Sequence, residues 1–595
     1  MPPCNPVPTL VEICLETLPR IVKETVSYTG EKLVNHWFNS RKKKKTSDND
    51  TRRSLKSTNQ IKLVSGRVAE GEEKLFTEEQ ASQVIDYEHK EQFDQYETSH
   101  VELDEELAIR TKSAVAEFQN WFVDSCVPGI LDLVVTSIIQ GVEEAVVEKN
   151  CELHKKDTTV QLASINMQMF IILSFVDSVI SPIVSNLDIS NLIQAVKNRI
   201  YTRMEGLTGM KKLIMGEGSH GYLADFYKQH FLTGVGGMNR LTYFSLQCDC
   251  FDELVELLGK NCSKTLRTLD VQRSFHVTDI SVKDIFAMKL LVNINIFSCG
   301  ITNEGKARIL LNLPKLHELD RGDFLCDALD WIDWWPESKG TVLQIREFYS
   351  SESYHFHTQA QMALVALYCP GIEKMRFMFS REHFINFTPL AKFKKLRSLN
   401  ICGGDFYSDG LIDLLEEIGS QLICLELYYV DQIDLKALVM ISVYCTKLEK
   451  LGFSNCGFRS SFEDFENTDD YERSLLLRDV PVVEIMQPLV HLNSLSISSR
   501  CTLQHISILI SNARNLRHLD IGLMIEVNDK YINQILPYIP KLETFSVKGS
   551  ERSDLTIQAT EILLANCENL REIKDLRAWS GVYPREIQNL IQTSR

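Results

Sequence analysis

The sequence predicts an α/β solenoid, in which short parallel strands alternate with helices behind an N-terminal helical cap, and two observations carry that expectation. The pattern apolar-x-x-apolar-x-apolar recurs from Leu241, Leu266, Leu291, Leu316, Ile345, Ile372, Leu396, Leu422, Leu448, Leu492, Leu516, Leu542 and Leu570, although the last apolar place is lost at Arg321, Ser350 and Asp575. Its period is about 26 residues, with one long interval after Leu448. Between the copies lie stretches with apolar residues at helical spacing, among them Leu411 to Ile418, Ile506 to Ile510 and Ile557 to Leu564. Alternation along each strand turns the apolar residues at places four and six inward and the residues between them outward. One strand and one helix per period gives a curved horseshoe, whose concave side is the candidate binding surface.

The fullest copies add a cysteine and a further apolar residue, as in Leu291, Ile294, Ile296, Cys299 and Ile301, and again in Leu448, Leu451, Phe453, Cys456 and Phe458. Other copies carry a cysteine three residues before the anchor, at Cys369, Cys445 and Cys567. From Leu241 to Ile573 the chain resembles the leucine-rich repeats of the cysteine-containing subclass found in F-box and related substrate-recognition proteins. The resemblance implies a leucine-rich-repeat horseshoe and leaves the ligand open, because function resides in sites carried by a fold. The cysteines read as small buried hydrophobes, not as metal or redox groups.

Two features interrupt the period and are expected as inserted loops near 325–340 and 457–480. The second holds the acidic run Glu463, Asp464, Glu466, Asp469, Asp470 and Glu472, either a solvated loop or a contact for a basic segment of a partner. The first holds Trp331, Trp334 and Trp335 beside Asp330 and Asp333. Clustered tryptophans serve as anchors of an interface when exposed, and as packing between helix and strand when not.

Residues 1–39 read as a helical adaptor-docking segment. Leu10, Ile13, Cys14, Leu18, Ile21 and Val22 share one helical face, and Pro19 ends or kinks that helix. The run TLVEICLETL from Thr9 to Leu18 resembles the elongin-C-binding box of cullin-type ubiquitin ligase receptors. The resemblance implies that Leu10 enters the elongin C pocket, Cys14 sits beside it and Leu18 extends the ridge, a helix laid in a groove. The proline of the usual cullin-selecting segment lies farther downstream than Pro19 does here. Leu18 and Pro19 alternatively open an F-box that docks a Skp adaptor. A second stretch, Val127 to Ile138, repeats the apolar order of Val7 to Leu18, so the motif is either a dock or one of two capping helices.

Residues 40–98 read as a charged, disordered linker, in which Arg41 to Lys45 is either a nuclear-import signal or a solvated basic run. Residues 99–205 read as the helical cap, with helices over about Glu106 to Lys149 and Thr159 to Arg203, and residues 206–595 as the solenoid.

The 595 residues carry 80 acidic against 64 basic groups, a net charge of −16, which argues against nucleic acid or anionic lipid as the main ligand. The N-terminus lacks a signal-peptide pattern, so the 16 cysteines are expected reduced, in cytoplasm or nucleus. Met167 to Val184 reads as a buried helix and not a membrane span. Gly300, Gly305 and Lys306 fall at phosphate-loop spacing, but Ala307 replaces the required hydroxyl. Gly216, Gly218 and Gly221 match dinucleotide spacing without the doubly wound pattern. Cys248 with Cys250, and His355 with His357, lack further ligands. No cofactor or metal is expected. The reading is a non-catalytic protein-binding receptor, a substrate-recognition subunit of a cullin-type ubiquitin ligase docked through elongin B/C or a Skp-type adaptor. Its alternative is a scaffold or signalling protein without a ligase connection.

Overall fold

The computed structural model describes residues 19–35, 39, 105–125, 131–153, 159–218, 225–319, 324–349, 356–384, 386–405, 408–430, 433, 435–458, 486–500, 503–522, 527–547, 555–575, 579 and 584–593. They fall into two compact units: one runs to Leu266 and takes in Ser274–His276, and the other comprises Arg267–Arg273 and the chain from Val277.

In the first unit a helix over 19–35 buries Val22, Val26 and Val34 along an i, i+4 stripe. It packs so closely on helix Leu131–Leu153 that a Cβ on Gly141 would come within 2.4 Å of the Pro19 carbonyl oxygen. Glu31 meets Lys149 Nζ at 2.9 Å farther along the same pair. The apolar run from Met167 is helical through Ser174 and for one further turn at Val176–Val179, and Ile171, Ile172, Val176, Val179 and Val184 are buried. Asp177 within it binds Arg199 and Arg203, each at 2.8 Å. No helix among the described residues is long and apolar enough to cross a membrane.

Three parallel strands follow in this unit: β1 (Asn186–Asp188), β2 (Lys212–Glu217) and β3 (Tyr243–Gln247). β1 lies inside 99–205, read as a helical cap, and β2 lies within 206–595 but ahead of the copy at Leu241. Val184 with Leu187 and Ile189, and Met210 with Leu213 and Met215, are buried in the same pattern as the later copies, with valine and methionine standing in for leucine.

The second unit is a leucine-rich-repeat solenoid. Its strands are β4 (Thr268–Asp270), β5 (Asn293–Asn295), β6 (Glu318–Leu319), β7 (Glu347–Tyr349), β8 (Lys374–Phe384), β9 (Ser398–Asp405), β10 (Cys424–Tyr428), β11 (Lys450–Gly457), β12 (Ser494–Arg500), β13 (His518–Ile521), β14 (Thr544–Val547) and β15 (Glu572–Lys574). β4 to β6 pair in parallel, as do β7 to β15. From β3 onward every strand starts two residues after its predicted anchor, and every anchor is at most 2% exposed. The residue after the anchor supplies a carbonyl shared by two amides of the next repeat. Arg397 O accepts from Ile423 N at 2.7 Å and Cys424 N at 3.0 Å, and Ile423 O accepts from Glu449 N at 2.8 Å and Lys450 N at 3.0 Å. A residue of positive φ follows β4, β5 and β10, at Arg273, Ser298 and Tyr429, and lies within β9 and β11 at Gly403 and Asn455. At Gly403 a side chain is excluded, since a Cβ would lie 2.4 Å from Phe379 O.

The stretch 325–340, expected as an inserted loop, is instead helix Phe324–Trp334 followed by a 3-10 turn at Pro336–Ser338. Leu325, Ala328, Leu329 and Ile332 are buried at i, i+3, i+4 and i+7, so burial of one helical face absorbs the surplus length. The second expected insertion, 457–480, lies outside the described residues beyond Phe458. A helix spans Gln359–Tyr368, with Thr358 and Gln361 forming a capping box.

The repeat cysteines tie neighbouring repeats together. Cys299 Sγ donates to Val271 O at 3.1 Å, Cys456 Sγ to Leu427 O at 3.2 Å and Cys567 Sγ to Ile539 O at 3.4 Å. The carbonyls of Cys369, Cys445 and Cys567 accept the amide of the anchor three residues on. Burial pushes the Cys445 thiol up to about 12 and the Cys567 thiol up to about 11, and raises Cys369 further. Raised values leave little thiolate to react. Iodoacetamide at pH 8 is therefore expected to alkylate exposed Cys151 in the native chain and spare Cys369, Cys445 and Cys567, as read by peptide mass spectrometry. Labelling of Cys445 as fast as Cys151 would show that the repeats are not packed in this way.

Candidate interaction surfaces

Alternation along β8 to β11 turns Met375, Phe377, Leu399, Leu425, Leu427 and Leu451 into the core. On the other side stand Arg376, Asn400, Cys424, Glu426, Tyr428 and Lys450, brought beside one another by the register that sets Asn400 opposite Glu426 and Cys424 opposite Lys450. Glu426 is the hub of this face. Its carboxylate accepts from Asn400 Nδ2 at 2.9 Å and from the Tyr428 hydroxyl at 3.1 Å, and it meets Lys450 Nζ at 2.5 Å. Its own side chain is 12% exposed. The Arg376 guanidinium lies 5.3 Å from the Tyr428 ring centroid, and its Nε donates to Cys402 Sγ at 3.4 Å.

Burial, then the charge of Glu426 and its hydrogen bond, raise the Tyr428 hydroxyl well above its ordinary range, so Tyr428 stays a donor. Burial and the Glu426 charge also raise Cys424. Burial alone would lower the Lys450 ammonium, but its hydrogen bond and charge attraction to Glu426 outweigh that and raise it. The result is a fixed set of two cations, an aromatic ring and a carboxylate on an open sheet face, suited to polar recognition of another chain.

The tryptophans lie on helix Phe324–Trp334 and just past its end. Trp331 contacts Trp334 edge to face, with centroids 5.7 Å apart and planes at 87°, and lies 6.2 Å from Trp335 at 56°. Trp331 and Trp335 are half-buried, whereas Trp334 is 73% exposed. The structure thus divides the two alternatives for this cluster, with two rings partly packed and one open. Asp333 accepts from the Tyr368 hydroxyl at 2.7 Å, and burial with that contact pushes Tyr368 up to about 12. Partial burial, then the charges of Asp327 and Asp333, hold the Asp330 carboxyl above its ordinary range. Exposed Val342 and Leu367 lie close by in the chain path, where Leu343 N donates to Tyr368 O at 2.8 Å.

Thr9, Leu10, Cys14 and Leu18 lie outside the described residues, as do Glu463, Asp464, Asp469 and Asp470. The nucleotide-like spacings have structural explanations. A Cβ on Gly305 would be 2.3 Å from Asp279 Oδ1, and Gly305 N donates to Thr302 Oγ1 at a helix cap. Gly218 faces the Asp249 carboxylate, 2.0 Å from where its Cβ would be, which is no place for a phosphate. Among the described residues no group of three or more His, Cys, Asp or Glu side chains could hold a metal ion.

No protein-family model matches the chain, and no curated protein matches it. Matches among solved structures include an internalin, InlF, from Listeria monocytogenes, at 15% identity and a TM-score of 0.31 over 63% of this chain and 85% of that one. Another is a leucine-rich-repeat protein of Leptospira interrogans, at 12% identity and 0.33 over 65% and 94%. The yeast Rad7 and Elc1 complex matches at 14% identity and 0.30 over 81% and 95%. The strand register and the shared carbonyls define the leucine-rich-repeat fold.

The sheet-face cluster was not singled out from sequence. Alternation marks Glu426 and Tyr428 as outward, but their convergence with Asn400 and Lys450 follows only from the cross-strand register. Glu426→Ala strands three partly buried donors at once. We expect a loss of about 2 kcal/mol in urea unfolding; a change below about 0.5 kcal/mol would show that the hub does not hold the face together.

Proposed function

We propose that this chain is a non-catalytic protein-binding receptor, and more specifically a substrate-recognition subunit of a cullin-type ubiquitin ligase. The observation that carries the first part is the ordered outer face of β8 to β11, where Arg376, Glu426, Tyr428 and Lys450 are pre-positioned by one another. Preorganised side chains lose little freedom on binding, which favours a protein partner over chemistry on a small molecule. In this reading Trp334, supported by Trp331 and Trp335, adds an aromatic anchor. The acidic run around Glu463, Asp464, Asp469 and Asp470 serves as a contact for a basic segment.

The ligase connection is supported by the resemblance of Thr9 to Leu18 to an elongin-C-binding box. Leu10, Cys14 and Leu18 would fill the adaptor groove, and the reaction would be carried out by partners in cytoplasm or nucleus. The same surfaces would serve a scaffold equally well, so the N-terminal segment decides between the two.

The test is capture of elongin B/C and of a Skp-type adaptor by the full-length chain, beside the double variant Leu10→Ala, Cys14→Phe. Capture of elongin that the variant loses is the expected result. Capture of neither adaptor would refute the ligase reading and leave a scaffold.

A further inference from the structure

At the edge of the solenoid where each helix gives way to its strand, a hollow of about 410 Å³ is lined by Lys394, Lys395, Arg397 and Lys447. Glu373, Gln421 and Ile423 complete its wall. Arg397 stands directly after an anchor, and at two other such places an arginine is neutralised from the next repeat. Arg346, after the anchor Ile345, pairs with Glu373 after the next anchor at 3.7 Å. Arg517, after Leu516, likewise pairs with Glu543 at 2.9 Å. At Arg397, as at Arg267 before Val292, the corresponding residue of the next repeat is apolar, here Ile423, and supplies no carboxylate.

The remaining charges do not replace it. Lys394 is matched by Glu417 at 3.4 Å, and the lining carboxylate Glu373 is already held by Arg346. Among the described residues, Lys395, Arg397 and Lys447 have no carboxylate within 4.0 Å. Three cations contributed by two repeats therefore face one hollow in a chain whose net charge is −16. An anion seated there would meet all three cations at once.

We infer that this hollow is a binding site for a phosphorylated side chain carried by a protein partner. A phosphate monoester brings roughly 1.5 to 2 negative charges and three acceptor oxygens, which suits an arginine fork and two ammonium groups better than a single carboxylate does. The lining holds no aromatic ring on which a base could stack, and Ile423 is its one apolar member. Both facts disfavour a nucleic acid or a nucleotide. The inference rests on the protein-binding reading above, and gives its partner a chemical mark.

The experiment uses the full-length chain and a degenerate peptide pool with a central phosphoserine, beside the same pool with serine, read by fluorescence anisotropy. The phosphorylated pool is expected to bind at least tenfold more tightly. Arg397→Ala with Lys447→Ala should abolish that preference. So should Ile423→Glu, which sets a carboxylate where Glu373 and Glu543 stand in the two paired repeats. Persistence of the preference in Ile423→Glu would overturn the assignment, as would displacement of the peptide by inorganic phosphate at equal concentration, which would mark a free-anion site. Because Ile423→Glu leaves Thr9 to Leu18 untouched, its adaptor capture should equal that of the wild type. A failure of the phosphate site and a failure of the ligase reading are thereby read separately.

Discussion

Each repeat of this chain buries its anchor only by accepting the next repeat against it, and the contact that fixes the two together is the carbonyl after the anchor, shared by two amides. Arg397 O and Ile423 O show the arrangement, and Glu373, Glu449 and Arg517 repeat it. It persists where the ladder is otherwise thinnest, since His317 O accepts from Arg346 N at 2.8 Å and Glu347 N at 3.3 Å between β6 and β7. With its backbone so committed, the residue after the anchor can place its side chain only along the edge. The pairs Arg346 with Glu373 and Arg517 with Glu543, and the unmatched Arg397, are consequences of that one constraint.

The same stacking governs the sheet face. Residues one period apart come to lie on adjacent strands, about 4.8 Å from each other, so a polar residue must find its partner a whole repeat away. Asn400 and Glu426 do so, and Lys450 reaches Glu426 from the strand beyond. Cysteine meets the same demand with a short side chain and a weak donor, handing its thiol hydrogen to a carbonyl of the preceding repeat. Interior and surface are thus ordered by one spacing, and binding groups on the face inherit the rigidity of the ladder beneath.

The spacing of apolar residues was enough to place an anchor two residues ahead of each strand from β3 onward, because an anchor has only one way to be buried in such an array. β1 escaped notice although Val184, Leu187 and Ile189 fit the pattern, since valine and isoleucine there also read as the end of an apolar helix. The tryptophan-bearing stretch read as a loop because period alone cannot show whether surplus residues project or lengthen a helix; Leu325, Ala328, Leu329 and Ile332 settle it by sharing a buried face. Glu426 and Lys450, or Arg397 and Lys447, are near one another only after folding, and nothing local in the sequence distinguishes them from other surface charges.

The dependence of every repeat on its neighbours is tested most directly by Leu451→Asp, which sets a carboxylate at a site with 0% exposure between Leu425 and Leu495 on the adjoining strands. An isolated buried charge costs at least several kcal/mol, and in a nearest-neighbour array that cost spreads to the repeats on either side. Hydrogen exchange and thermal melting should show lowered stability with protection lost across β10 to β12 together. A melting curve and exchange pattern matching the wild type would contradict the register on which the whole account stands.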